Sequence, residues 1–99
     1  MTERRLQRIK KRIGESVSGV LMGYDIFETD EIINVIDINV SKNISKVQVF
    51  VEIISSNGNS FDVLNKLNKI SWMFDREIAN ALHLRKKIKV EFLLGVVRV

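Results

Sequence analysis

The sequence predicts an α+β protein in two layers, with helices packed on one face of a small sheet. An opening segment repeats its apolar residues with helical spacing, and two later segments alternate apolar and polar residues as strands do. A second helical segment then precedes a final alternating stretch. For a chain of 99 residues this indicates one domain over residues 1–99, with a three-stranded sheet and the order α-β-β-α-(kink)-α-β.

The first helix is predicted from about Glu3 to Leu21. Its apolar residues recur every three or four positions and form one stripe, made of Leu6, Ile9, Ile13, Val17 and Val20. At about 100° per residue, the opposite side collects cations, namely Arg4, Arg5, Arg8, Lys11 and Arg12. The helix is therefore amphipathic, and we expect its basic side to face solvent.

Positive charge is concentrated in this helix. Six Lys and Arg residues fall between positions 4 and 12, with no acidic residue among them. Without these six, 10 of the 16 Lys and Arg remain against 12 Asp and Glu, so the rest of the chain carries a net charge of −2. One cationic edge on a slightly acidic body suits a protein that binds a polyanion. The alternative is an ordinary solvated helix surface, but such surfaces usually interleave acids with the cations.

The acidic stretch from Tyr24 to Glu31 is interpreted as a loop with solvated carboxylates. Two strands are predicted after it, over Ile32–Val40 and Ser45–Ile54. In the first strand the even positions are expected to share one face, namely Ile32, Ile36, Ile38 and Val40. In the second, the residues sharing a face are Val47, Val49, Val51 and Ile53. The short polar connection between the strands indicates an antiparallel hairpin. Phe50 is on the solvated face, where covering strand backbone is favoured over stacking on a base.

A long helix is predicted from about Phe61 to Leu84, followed by a last strand that turns Ile88, Val90, Phe92 and Leu94 inward. Because the helix is long for so small a protein, we expect a bend or break at Ile70, Ser71 and Trp72. Trp72 is expected at the edge of the core rather than as a platform for a ligand.

Patterns typical of catalysis or metal binding are absent from the sequence. There is no Cys, and His83 has no nucleophile or base near it along the chain. No P-loop, dinucleotide-binding glycine pattern or HExxH motif occurs. No apolar run approaches the length of a membrane span, and the first residues lack the apolar stretch of a secretory signal. We therefore expect a cytoplasmic protein that is not an enzyme and uses no metal, cofactor, membrane or small-molecule substrate.

The hairpin and its flanking helices resemble the ribosome-binding factor A family. The resemblance lies in the segment Ile36–Val51, with its Ser-Lys-Asn-Ile corner and Lys-Val-Gln-Val-type second strand, in the Arg5-Leu6-Gln7-Arg8 start, and in Leu84-Arg85 with an inward Phe92. It extends from about Arg4 to Leu94. The chain departs from the family at the helix kink, where Trp72 stands in place of a small Gly.

The resemblance implies a KH-like fold of the second topological type, in which a helix–kink–helix replaces the nucleotide-clamping Gly-x-x-Gly loop. It also implies a non-catalytic factor that binds the precursor 30S subunit and its 16S rRNA, and we expect the protein to be a monomer. Such a factor assists late assembly, 5′-end processing and growth in the cold.

Our hypothesis for the site follows from charge and resemblance together. The cations expected to contact rRNA phosphates are Arg4, Arg5, Arg8, Lys11 and Arg12, with Arg85, Lys86 and Lys89 as a second contact area. Two alternatives remain open. One is a protein–protein interaction module that pairs through a sheet edge. The other is a general KH-like RNA-binding domain, which the missing Gly-x-x-Gly and few aromatic residues disfavour.

Overall fold

The computed structural model describes residues 2–23, 31–55 and 60–95. Its elements, in chain order, are α1 (Glu3–Gly23), β1 (Glu31–Val40), β2 (Lys46–Ser55), α2 (Ser60–Lys69), α3 (Ser71–Ala81) and β3 (Lys89–Leu94). The predicted α+β order, including a break between two helices, is confirmed. The interpretation made for the acidic loop before residue 31 lies outside the described residues.

The sheet has the strand order β1-β2-β3. β1 and β2 pair antiparallel across the hairpin, while β3 joins β2 in parallel, which requires the crossover that α2 and α3 provide. All three helices pack on one face of the sheet. The core between the two layers is formed by Ile9, Ile13, Val17, Val20, Ile38, Val47, Val49, Val51, Leu67, Phe74, Ile78, Ile88, Val90 and Phe92. Phe74 meets Phe92 edge to face, with ring centroids 4.7 Å apart.

The alternation predicted for β1 is wrong in its first half. The pairing with β2 shifts by one residue between Val35 and Asp37, so Ile36 is the extra residue of a β-bulge. Before the bulge, Ile33 and Val35 pair with the core-facing residues of β2, and after it Ile38 and Val40 do so. A one-residue shift moves every side chain before it to the opposite face.

The bulge leaves apolar side chains on the open face of the sheet. Ile32, Ile36 and Ile54 are 51%, 39% and 49% exposed. A Cβ placed on Gly95 would lie only 2.8 Å from Ile36 Cδ1 and 3.4 Å from Phe50 Cβ. Gly95, Ile36 and Phe50 therefore lie close together on the open face. Phe50 is half-buried in this cluster.

Polar side chains of α2 and α3 occupy the outer edge of β3. The Asn68 amide donates to the Phe92 carbonyl at 3.1 Å and accepts from the Phe92 N–H at 2.9 Å, as a neighbouring strand would. Asp75 Oδ1 accepts from the Val90 N–H at 2.7 Å. Burial raises the pKa of the Asp75 carboxyl, while the Val90 hydrogen bond and the charge of Lys89 act in the opposite direction. These bonds satisfy backbone groups that an edge strand would otherwise expose.

The break between α2 and α3 falls at Ile70. Its φ and ψ of −104° and 15° are not helical, and its N–H is shared between the Lys66 and Leu67 carbonyls, each 3.2 Å away. The Met73 N–H bonds to the Ile70 carbonyl at 3.0 Å and starts α3. The break lets α2 cover β2 and β3 while α3 packs between β3 and α1.

Candidate nucleic-acid interface

The cations of α1 lie on one exposed side of the helix, opposite its buried stripe. We call this set the cationic face, and it consists of Arg4, Arg5, Arg8, Lys11 and Arg12, all exposed. The helix begins at its expected position because Thr2 Oγ1 accepts a hydrogen bond from the Arg5 N–H at 3.2 Å, which is an N-cap. Burial of Ile13 and Val17, both 0% exposed, fixes the rotation of the helix and so the direction of the cationic face.

No ion pair neutralises the cationic face within the described parts of the chain. The salt bridge found there joins Lys66 of α2 to Glu31 of β1 at 4.0 Å and does not involve α1. Near the start of α1, Glu3 bonds to the Gln7 amide at 3.0 Å. Like charges three or four residues apart on a helix are mildly destabilising. The charged groups of the cationic face are therefore not held by carboxylates of the described residues and are available to an anionic partner.

A shallow cleft lies beside the cationic face, where α1 meets the hairpin corner and the end of α3. This arginine cleft has a volume of ≈ 220 Å³ and is lined by Arg5, Arg8, Ile9, Arg12, Ile44, Leu82 and Leu84. The apolar residues among them are provided by all three elements. Three guanidinium groups beside a partly apolar surface can bind phosphate through planar, two-pronged hydrogen bonds.

The hairpin corner holds Ile44 in a strained conformation at this cleft. Its φ is 57°, in the left-handed region that β-branched residues rarely adopt. Hydrogen bonds of the corner enforce it: Asn43 Oδ1 accepts from the Ser45 N–H at 3.2 Å, and Ser41 Oγ accepts from the Lys46 N–H at 3.0 Å. Strain of this kind persists where surrounding contacts require it, and it is frequent at functional sites.

The second predicted contact area is only partly assembled. Arg85 and Lys86 are exposed and lie together, just after α3, whereas Lys89 is on the open face of the sheet. There it lines another cleft, of ≈ 340 Å³, with Lys46, Gln48 and Glu91. The reason is strand alternation, since Val90 points into the core and its neighbour Lys89 points away from it.

A third cleft contains Arg85 and Lys86 and extends along α3. This tryptophan cleft has a volume of ≈ 380 Å³, and its lining includes Trp72, Asp75, Arg76, Arg85, Lys86 and Lys87. The expectation that Trp72 lies at the edge of the core is wrong, because the residue is 61% exposed. Arg76 and Lys87 were not predicted as site residues. Once the break at Ile70 is known, the i, i+4 spacing of Trp72 and Arg76 indicates their shared face.

His83 lies two residues after the end of α3. Its φ of 55° places it in the left-handed conformation that follows many helices, with the Leu84 N–H bonded to the Ala79 carbonyl at 2.9 Å.

Within residues 2–23, 31–55 and 60–95, no group of three or more potential metal ligands is found. No helix in these ranges is both long and apolar enough to cross a bilayer.

The fold and the site together define a small α+β protein with the order α-β-β-α-α-β and a cationic surface on its helical layer. The structure is similar to the crystal structure of ribosome-binding factor A from Thermus thermophilus, with a TM-score of 0.67, 18% identity and coverage of 95% of this chain and 97% of that one. A homology model of the Thermus thermophilus factor, fitted into a cryo-EM map of a 30S–RbfA complex, gives a TM-score of 0.63 at 18% identity over 89% and 88% of the two chains.

The solution structure of a candidate ribosome binding factor A from Thermotoga maritima is also similar, with a TM-score of 0.66, 17% identity and coverage of 94% and 86%. No model of a known protein family matches the sequence, and no curated protein is similar enough in sequence to count as a relative. At these identities the comparisons establish the fold, which is the one that the sequence resemblance implied.

Proposed function

We propose that this protein is a ribosome-binding factor A that acts as a ribosome maturation factor in the cytoplasm. It binds the precursor 30S subunit and its 16S rRNA as a monomer, without a cofactor, and assists late assembly and 5′-end processing without catalysing a reaction. By the same resemblance, it supports growth in the cold.

The observation that carries the proposal is the cationic face, which is exposed and has no ion pair within the described residues. An rRNA surface offers closely spaced phosphates, and each Lys or Arg that neutralises one releases a bound counterion. The similarity in fold to ribosome-binding factor A, over 95% of this chain, supports the choice of the small subunit among polyanions.

Two contact areas fit this binding mode. The cationic face and the arginine cleft form the first contact area, and Arg85 and Lys86 form the second. Leu84 lies between the two areas, since it lines both the arginine cleft and the tryptophan cleft. Lys89 faces the open side of the sheet and would contact a separate phosphate. Because phosphate contacts do not report sequence, specificity comes from RNA shape and from the fit to the folded subunit.

A dimer built on a sheet edge is less well supported at β3. Asn68 and Asp75 already bond to the backbone of Val90 and Phe92 at that edge. A second chain could not pair there without displacing them.

The test is sedimentation of tagged protein with cell lysate through a sucrose gradient. We expect the parent to migrate with free small subunits and not with translating ribosomes. The variant Arg8→Glu with Arg12→Glu should lose this association, by about two orders of magnitude in affinity or more, because two attractive contacts become repulsive.

The matched control reverses two exposed cations on α2, Lys66→Glu with Lys69→Glu, which changes the net charge equally on a helix that does not contact α1. It should bind as the parent does, and its thermal unfolding is measured as well, because Lys66→Glu also removes the contact with Glu31. Equal loss in both double variants would mean that only net charge matters, and normal binding by the α1 variant would refute the assignment of the cationic face.

A further inference from the structure

We propose that the tryptophan cleft binds one unpaired RNA base, stacked on Trp72, with its flanking phosphates held by the surrounding cations. The inference depends on the proposed function for the source of the RNA. It adds a site for a single-stranded nucleotide to a surface that otherwise holds only phosphates.

The first argument is the exposure of Trp72. It is the second residue of α3 and is 61% exposed, while Phe74, two positions later, is fully buried. No ring or cation–π contact involving Trp72 occurs among residues 2–23, 31–55 and 60–95. An uncovered aromatic ring is a surface on which a base can stack, and stacking does not require a particular base.

The second argument is the arrangement of charge around the indole. The exposed cations that line the same cleft are Arg76, Arg85, Lys86 and Lys87. The acidic residue lining it is Asp75, and its carboxylate already accepts the Val90 N–H at 2.7 Å. None of the four cations forms an ion pair within the described residues. The cleft therefore complements a base with a phosphate on each side.

The third argument is that the cationic segment after α3 is anchored at both ends. At its start, the Leu84 N–H bonds to the Ala79 carbonyl at 2.9 Å, and at its end, the Lys89 N–H bonds to the Ser45 carbonyl at 2.9 Å. The segment between these bonds is thus held alongside the exposed face of α3. Preorganised cations lose less side-chain and backbone entropy on binding than a flexible tail would.

A protein partner fits these observations less well. Protein-binding anchors are usually surrounded by residues that exclude water, whereas Trp72 stands among four charged, exposed side chains. The cleft also adjoins the arginine cleft through Leu84, so one RNA strand can follow both.

Trp72 is the only tryptophan of the chain, so its fluorescence reports this site alone. The probe is a short single-stranded oligoadenylate, compared with an RNA duplex of the same length. We expect the single strand to quench Trp72 emission at low salt and the duplex to quench it much less, because paired bases are not available for stacking. Equal quenching by both, or none by the single strand, would overturn the proposal.

Variants separate this site from the rest of the surface. Trp72→Ala should weaken binding to the precursor subunit by about tenfold or more without changing its salt dependence, since a stack and not a phosphate contact is lost. Trp72→Phe should restore most of the affinity. The control Phe61→Ala removes an aromatic residue that is 67% exposed on α2, and it should bind as the parent does.

The outcomes distinguish the two proposals. If Trp72→Ala binds subunits as tightly as the parent, the stacking site is refuted and the proposed function stands. If the parent does not migrate with subunits but its emission is quenched selectively by the single strand, the stacking site stands and the proposed function fails. Loss of subunit binding in Trp72→Ala without any quenching of the parent would indicate a contact with ribosomal protein and would refute stacking.

Discussion

Two helices, α1 and α2, pack on the same face of the sheet, but their exposed sides are built differently. Their buried sides are alike, since Ile13 and Leu67 are both 0% exposed. On the exposed side, α1 presents five cations without an ion pair among the described residues, whereas α2 mixes acidic, amide, apolar and basic side chains, and its Lys66 lies 4.0 Å from Glu31. The fold needs only the buried stripes. The run of cations between residues 4 and 12 of α1, which no acidic residue interrupts, is not needed for folding, and the proposed contact with an anionic partner depends on it.

The largest expected effect tests whether the two buried stripes are equivalent. Ile13→Ala and Leu67→Ala should each lower the free energy of unfolding by about 2–5 kcal/mol, since both leave a cavity in a closely packed core. Chemical denaturation measures this. Ser18→Ala and Asn65→Ala, on the exposed sides of the same helices, are the controls and should stay within about 0.5 kcal/mol of the parent. A small effect of only one core variant would show that its helix is not part of the cooperative core.

The next effect tests the difference between the exposed sides. If about six phosphates are neutralised, log K for subunit binding should fall with log salt at a slope between about −4 and −5. Arg8→Glu with Arg12→Glu should make that slope shallower by at least about 1.4, because two phosphate contacts are lost. Binding assays over a salt series measure it. An unchanged slope in this variant, or an equal change in Lys66→Glu with Lys69→Glu, would contradict the special role of α1.

A smaller effect concerns the hydrogen bonds by which α2 and α3 hold β3, a feature for which α1 has no counterpart in the described residues. Asp75→Ala leaves the Val90 N–H without its partner and should cost about 1–3 kcal/mol of stability. Asp75→Asn keeps an acceptor oxygen and should cost less. Equal losses in the two variants, measured by denaturation, would mean that the hydrogen bond contributes little.

The parent and Asp75→Asn also give a pH dependence with a defined sign. Burial raises the pKa of Asp75 above its ordinary value of 3.8, so the folded state binds the proton more tightly than the unfolded state does. Relative to Asp75→Asn, the parent should therefore be most stable below pH 3.8 and should lose this advantage as the pH rises through the folded pKa. A relative stability that instead rises with pH over this window would show that the hydrogen bond and Lys89 outweigh burial.

The smallest expected effect is at the end of α3. His83→Gly removes an exposed side chain from a left-handed residue and should raise stability by less than about 1 kcal/mol, because relief of strain is partly offset by the entropy of glycine in the unfolded chain. Thermal unfolding measures the change. Destabilisation would indicate that the imidazole makes a contact that its exposure does not suggest.

Local sequence patterns were sufficient for the elements and for the cationic face. Ile9, Ile13 and Val17 recur with the period of a helix, and this period alone places Arg8 and Arg12 on the opposite side. The alternation of Val47, Val49 and Val51 likewise predicts a face that the structure buries. In these elements, one regular period holds from end to end, so each residue's face follows from its position.

Tertiary structure decided the features that depend on how the strands pair and on which elements pack against one another. Whether Ile36 is a regular strand residue or a bulge depends on its partner strand, because β1 has apolar residues in both phases, at Ile33 and Val35 as well as at Ile36 and Ile38. Asn68 and Asp75 act on β3, at residues that lie 24 and 15 positions away along the chain. At Trp72 the tertiary structure adds the cleft, because Arg85 and Lys86 come from the segment after α3. Periodicity specifies which residues share a face, whereas only packing determines what that face meets.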